Sequence, residues 1–152
     1  MKISSCFLIS LLVVSLDQIS KYLARNLIGP SEIVKVLPFL QLVSVRNEGA
    51  AFGLFKSFGN TTFVVISLVA IVFVLYLLFR SRESRVGLSL ILAGAVGNLI
   101  DRIAFGTVTD FIDFFVGRFH WYVFNVADSA LTVGLIILLL SSLLRHREER
   151  ER

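Results

Sequence analysis

The chain has 152 residues, 56% of them hydrophobic and 17% charged, with a net charge of +4. A soluble domain carries about 45–50% apolar and about 25% charged residues, so this is membrane-protein composition, and the length allows one compact bundle without a second domain. The single cysteine, Cys6, excludes an internal disulfide framework and a CxxC redox pair, and with only His120 and His146 besides the ligands for a structural zinc site are lacking.

In chain order, the stretch from Ile3 to about Leu27 is apolar through Leu16 and then carries Asp17, Lys21 and Arg25. It lacks a small-x-small cleavage site and is interrupted early by Asp17, so it is expected to be a retained helix and not a cleaved signal peptide. The segment of about 28–60 is too long and too apolar for a simple connector. Its runs Ile33–Leu37 and Phe39–Val45 are rich in β-branched residues and separated by Pro38, the pattern of short strands. Two charge-free or nearly charge-free runs follow, about 61–79 and about 86–103, each close to the 20 apolar residues a spanning helix needs. The segment of about 104–124 holds Phe111, Phe114, Phe115, Phe119, Trp121 and Tyr122, an aromatic belt at a membrane interface with room for another strand. A last run, about 125–144, is uncharged after Asp128 and leads into a tail, Arg145 to Arg152, in which arginines alternate with Glu148, Glu149 and Glu151. Such interleaving marks a solvated helix end, not a nucleic-acid patch.

Four spans put both termini on one side. Three arginines fall between Arg80 and Arg85, four more in the tail, and Lys2 joins them, whereas Lys35, Arg46, Lys56 and Arg118 are spread over the two longer loops. The concentrated positive charge places both termini in the cytoplasm. The expected fold is an all-α membrane protein of four transmembrane helices with a small extracytoplasmic β element and a lid-like outer loop.

With this topology the intramembrane polar residues gather in the outer half of the bilayer. Asn98, Asp101 and Arg102 share a helical face by their spacing, as do Asn125, Asp128 and Thr132; Asp17 and Lys21 are an i, i+4 pair; Asp110 is expected in the loop joining the last two helices. Each has a bland reading beside the functional one. Asp17–Lys21 is either a structural ion pair or site support; Asp101–Arg102 can be interfacial snorkelling; Asn98 can be interhelical glue; Asp113 reads as solvated or capping. Asp110 and Asp128 resist that treatment, because a carboxylate at a membrane boundary is costly and neither has a cation nearby in sequence. Two neighbouring aspartates share a proton. The ionised one can then take a proton from water while the other donates to a carbonyl oxygen, hydrolysing an amide without metal or cofactor. The sequence contains no GxSxG, HExxH or Cys/His pair to support another hydrolytic mechanism.

Five ordered blocks, Asp17–Lys21, Asn47–Gly53, Gly97–Arg102, Val108–Phe111 and Phe124–Ala130, closely resemble those of bacterial lipoprotein signal peptidase (signal peptidase II). The resemblance implies an aspartic intramembrane endopeptidase of the bacterial inner membrane, cutting diacylglyceryl-modified prolipoproteins just before the lipidated cysteine. By the same resemblance Asp110 and Asp128 match the catalytic pair. Asn47, Gly49, Asn98, Arg102 and Asn125 match substrate-site positions, and Asp17, Lys21 and Asp101 supporting ones. The implied partners are lipidated substrates and membrane lipid, with no nucleic acid, no metal and no cofactor, and a monomer is expected. The rival readings are a small transporter using Asp17, Asp101 and Asp128 as ion stations, and a scaffold subunit whose polar residues lock helix packing. An apolar inner half argues against the first.

Overall fold

The structure is a computed structural model and describes residues 1–48, 59–80 and 84–150. Four helices, α1 (Ile3–Leu27), α2 (Gly59–Arg80), α3 (Arg85–Phe105) and α4 (Val126–Arg150), alternate with four strands, β1 (Val34–Leu37), β2 (Leu40–Asn47), β3 (Val108–Val116) and β4 (Phe119–His120). All four helices are long and apolar enough to cross a membrane, and the strands form one antiparallel sheet in the order β1-β2-β3-β4. The four-helix membrane architecture with a small β element expected from the sequence is therefore present.

The bundle is built around α3, which packs against each of the other three helices. Its buried residues include a run of small ones, Gly87, Ser89, Ala93, Gly94, Ala95 and Gly97, which let backbones approach where lipid supplies no hydrophobic drive for association. At the α3–α4 contact a Cβ on Gly134 would lie 2.7 Å from the Gly87 carbonyl oxygen, so neither position has room for a side chain. On the other flank a Cβ on Gly97 would sit 2.6 Å from an Asp17 carboxylate oxygen; here glycine makes space for a polar group of α1. By contrast α2 packs chiefly against α3 and exposes Val65, Ile66, Val69, Val72, Phe73 and Tyr76, as a helix apolar on all sides does in lipid.

Both chain crossings that carry strands, α1 to α2 and α3 to α4, lie at the same end of the bundle. Gly106, in the left-handed region at φ 74°, ends α3 and turns the chain directly into β3. Asp110 accordingly lies in a strand and not in the loop expected from the sequence: Val45, Arg46 and Asn47 of β2 pair with Asp110, Thr109 and Val108. That partner strand comes from the first outer segment, so nothing local to Asp110 announces it. Buried Phe111 packs with Ala24 of α1 and with Ile28, which caps its end, flanked by Leu42, Ile112 and Val126, and fastens the sheet to the helices. At the far end, Cys6, Val74, Leu78, Leu88 and Leu92 form an apolar core, beside which the buried Ser10 hydroxyl donates to the Cys6 and Ser89 carbonyl oxygens.

Candidate active site

Asp110 reaches the bundle from β3 and Asp128 from the first turn of α4, and Asn125 joins them. The Asn125 Oδ1 accepts from the Asp128 backbone N–H at 2.9 Å, and an Asp128 carboxylate oxygen accepts from the Asn125 N–H at 3.2 Å. This is a capping box, with Asp128 three residues after the cap residue. Capping fixes which way the Asn125 amide faces, and its Nδ2 then donates to Asp110 Oδ1 at 2.7 Å. One asparagine thus holds both carboxylates, one by its main chain and one by its side chain. Asp17 Oδ1 accepts the next free donor of α4, the Ala127 N–H, at 2.8 Å.

Behind the pair lies a buried polar layer. Asn98 Nδ2 donates to Asp128 Oδ1 at 2.8 Å, while Asn98 Oδ1 accepts from Lys21 Nζ at 2.9 Å and from Asn125 Nδ2 at 3.2 Å. Lys21 is fully enclosed and ion-pairs with Asp17 at 2.9 Å and Asp101 at 3.7 Å. Asp101 also accepts from the Thr109 N–H at 2.8 Å and pairs with Arg25 at 3.5 Å, so it anchors the start of β3 to α3. A buried charge is tolerable when paired and hydrogen-bonded, and among the described residues no buried side-chain polar atom lacks a partner.

In front, Asp110 and Asp128 open into a cleft of about 540 Å³ walled by Phe63, Ile66 and Ala70 of α2, Ala95 and Arg102 of α3, and Leu131 and Thr132 of α4. The Arg102 guanidinium lies over the Phe63 ring and donates to the Asn98 carbonyl oxygen at 3.4 Å. Asn47 Nδ2 donates to Asp110 Oδ2 at 2.9 Å and also contacts the Tyr122 hydroxyl, which itself lies 3.4 Å from Asp110 Oδ2. Burial, reinforced by the Asp128 charge, pushes the Asp110 carboxyl up to about 6, against the opposing pull of the Asn47 and Asn125 donors. Burial and then the Asp110 charge push the Tyr122 hydroxyl up to about 12, so it stays a donor through the neutral range. Two carboxylates with convergent amide donors at an apolar cleft can hold and transfer a proton to a carbonyl. Among the described residues no three potential metal ligands converge.

Of the residues singled out from the sequence, Asn47, Asn98, Arg102, Asp110, Asn125 and Asp128 meet at or against the cleft, and Asp17, Lys21 and Asp101 form the layer behind it. Asn98, Asp101 and Arg102 do not act as one face: Asp101 turns to α1 and Arg102 to α2. Gly49 lies outside the described residues, as do Gly53 and the rest of the expected lid. Asp113, read as solvated, is buried, because Gln41 Nε2 donates to it at 2.6 Å and His120 Nδ1 lies 2.9 Å away. Tyr122 and Arg25 also serve the site although the sequence marks neither for it: the first lies in an aromatic run, the second on the last turn of α1, where a solvated arginine is ordinary.

A membrane bundle with a buried polar layer leading to an aspartate pair at one end has the makings of a membrane enzyme. Solved structures agree: a bacterial membrane enzyme determined by the in meso method at 2.3 Å superposes with a TM-score of 0.89 and 34% identity, covering 98% of this chain and 93% of that one. A second, at 1.9 Å, gives a TM-score of 0.81 at 34% identity over 92% of this chain and 93% of its own. The family description "Signal peptidase (SPase) II" matches residues 9–144. The lipoprotein signal peptidase of Thermodesulfovibrio yellowstonii is 47% identical over 132 residues, 87% of this chain and 90% of that protein. That of Coxiella burnetii strain Dugway is 44% identical over 143 residues, 90% and 88% of the two chains. The chain belongs to the signal peptidase II family.

Proposed function

We propose that this protein is an intramembrane aspartic endopeptidase that removes the signal peptide from diacylglyceryl-modified prolipoproteins, cutting just before the lipidated cysteine. The observation that carries the reading is the pair Asp110 and Asp128, both bonded to Asn125 at a largely apolar cleft of about 540 Å³. One aspartate takes a proton from water as its oxygen attacks the scissile carbonyl carbon, and the other donates its proton to the carbonyl oxygen. Collapse of the tetrahedral intermediate breaks the C–N bond, and a proton passes to the amine of the departing cysteine. Arg102 and Asn47, at the cleft wall, bind peptide carbonyls. The acyl chains of the substrate remain among Phe63, Ile66, Ala70 and Leu131, so the substrate enters sideways from the bilayer. An ion pathway needs polar stations through the whole thickness, and at the end opposite the dyad the buried polar side chains among the described residues are only the hydroxyls of Ser10 and Ser89, both spent on main-chain carbonyls.

The protein spans the bacterial inner membrane with both termini cytoplasmic. Lys2, Arg80, Arg85, Arg145, Arg147 and Arg150 lie at the end of the bundle away from the sheet, which the positive-inside rule keeps in the cytoplasm; the dyad then faces the outer side. Replacing Asp110 or Asp128 by Asn tests the chemistry on a diacylglyceryl prolipoprotein in detergent. Each variant is expected to lose turnover by at least about 10⁴-fold while remaining folded. Activity within a few-fold of the parent in either variant would sink the reading.

A further inference from the structure

The proposed reaction uses the two aspartates and leaves Lys21 without a task. Its ammonium is wholly buried, does not line the cleft, and meets Asp17 on its own helix and Asn98 and Asp101 on α3. A lysine ammonium has only donors. The oxygen of the Asn98 amide must therefore face Lys21, and the same oxygen accepts from Asn125. Turned over, the amide would point its NH₂ at an ammonium and its carbonyl at the Asp128 carboxylate. In the orientation Lys21 imposes, the Asn98 NH₂ donates to Asp128 Oδ1 at 2.8 Å. Asp128 also receives the Asn125 main-chain N–H and lies in the first turn of α4, where the helix dipole favours an anion. The other charged groups around it are Asp110 on β3, Arg102 on α3 and Asp17 on α1. Asp110 is served differently: its donors are the side chains of Asn47 and Asn125 and the Tyr122 hydroxyl, with no helix N-terminus behind it.

We infer that Lys21 is a positioning residue that, by locking the Asn98 amide, keeps the negative charge of the dyad on Asp128, which becomes the base toward water, and leaves the proton on Asp110, which becomes the acid toward the carbonyl. The inference rests on the peptidase reading and deepens it by giving the two carboxylates different roles. A hydrogen bond donated to an anion favours that anion. Removing Lys21 therefore weakens the anionic form, and the pH at which the base takes up its proton rises.

The experiment is a pH–rate profile of the full-length protein in lipid bicelles on a diacylglyceryl prolipopeptide. Lys21→Met is compared with the double variant Asp17→Asn/Lys21→Met, which removes the buried pair together and leaves no orphaned carboxylate. In whichever folds, kcat is expected to fall at least about tenfold with KM little changed, and the acid limb to move upward by about one pH unit. A purely structural lysine lowers the amount of active protein and leaves the limb in place. An unmoved limb, or failure of both variants to fold, overturns the positioning role. Parent cleavage is measured first, so absence of turnover there counts against the peptidase reading and not against Lys21.

Discussion

At the scale of single residues the dyad is held against its own stability. An aspartate on an unfolded chain titrates near 3.8, and in the fold Asp110 does so near 6. The folded state therefore keeps a proton that the unfolded state releases. Ionising Asp110 costs the fold nothing below about pH 4 and its full amount above about pH 6, at most about 3 kcal/mol at 1.36 kcal/mol per pH unit. Asp110→Asn is expected to melt above the parent at pH 8 and to lose that advantage as the pH falls toward 4, as followed by thermal unfolding in detergent. An equal gain at both pH values would mean that the stored cost lies elsewhere. The Tyr122 hydroxyl and the Asn47 amide crowd the same oxygen of Asp110, so part of the site is held by a strand residue and part by an aromatic that composition alone assigns to the membrane interface.

At the scale of elements, what was legible is what a local pattern can carry. Four helices follow from long apolar runs, the first of them despite Asp17, Lys21 and Arg25, and the β1–β2 hairpin from β-branched residues around Pro38. The strand character of Asp110 was not legible, because it depends on Val45 and its neighbours arriving from the first outer segment. Asp113 was misread for the same reason: Gln41 on β2 buries it, and a carboxylate among phenylalanines looks solvated until its partner is known. Depth and helical spacing did identify Asn98 and Asn125, since polar residues that recur on a helix in the bilayer need a use. Helix packing supplies a sharper test. The Asp17 carboxylate occupies the space a side chain at Gly97 would need, so Gly97→Ala must push α1 from α3 or displace Asp17 from the Ala127 N–H. We expect a loss of about 1–3 kcal/mol and a marked fall in cleavage, measured as a lowered melting temperature together with turnover. A variant with parental stability and activity would show that the contact relaxes freely.

At the scale of the whole molecule, orientation decides which compartment the dyad serves. In a Cys6→Ala background, single cysteines at Arg118 and Arg147, both exposed, distinguish the two faces. An impermeant maleimide applied to intact spheroplasts is expected to label Arg118→Cys and spare Arg147→Cys; the reverse pattern would invert the membrane placement. The buried pair of α1 also bears on how the chain enters the membrane at all. Helix α1 is synthesised before α3 and meets the bilayer before Asn98 and Asp101 exist. Lone charges within a spanning segment cost about 2.5–3.5 kcal/mol each on insertion. Asp17 and Lys21, 2.9 Å apart on one helical face, carry opposite charges and so travel as a neutral unit. The i, i+4 spacing that closes this ion pair in the finished site is available to α1 before α3 is made, so removing either member alone leaves a single charge to be carried into the bilayer.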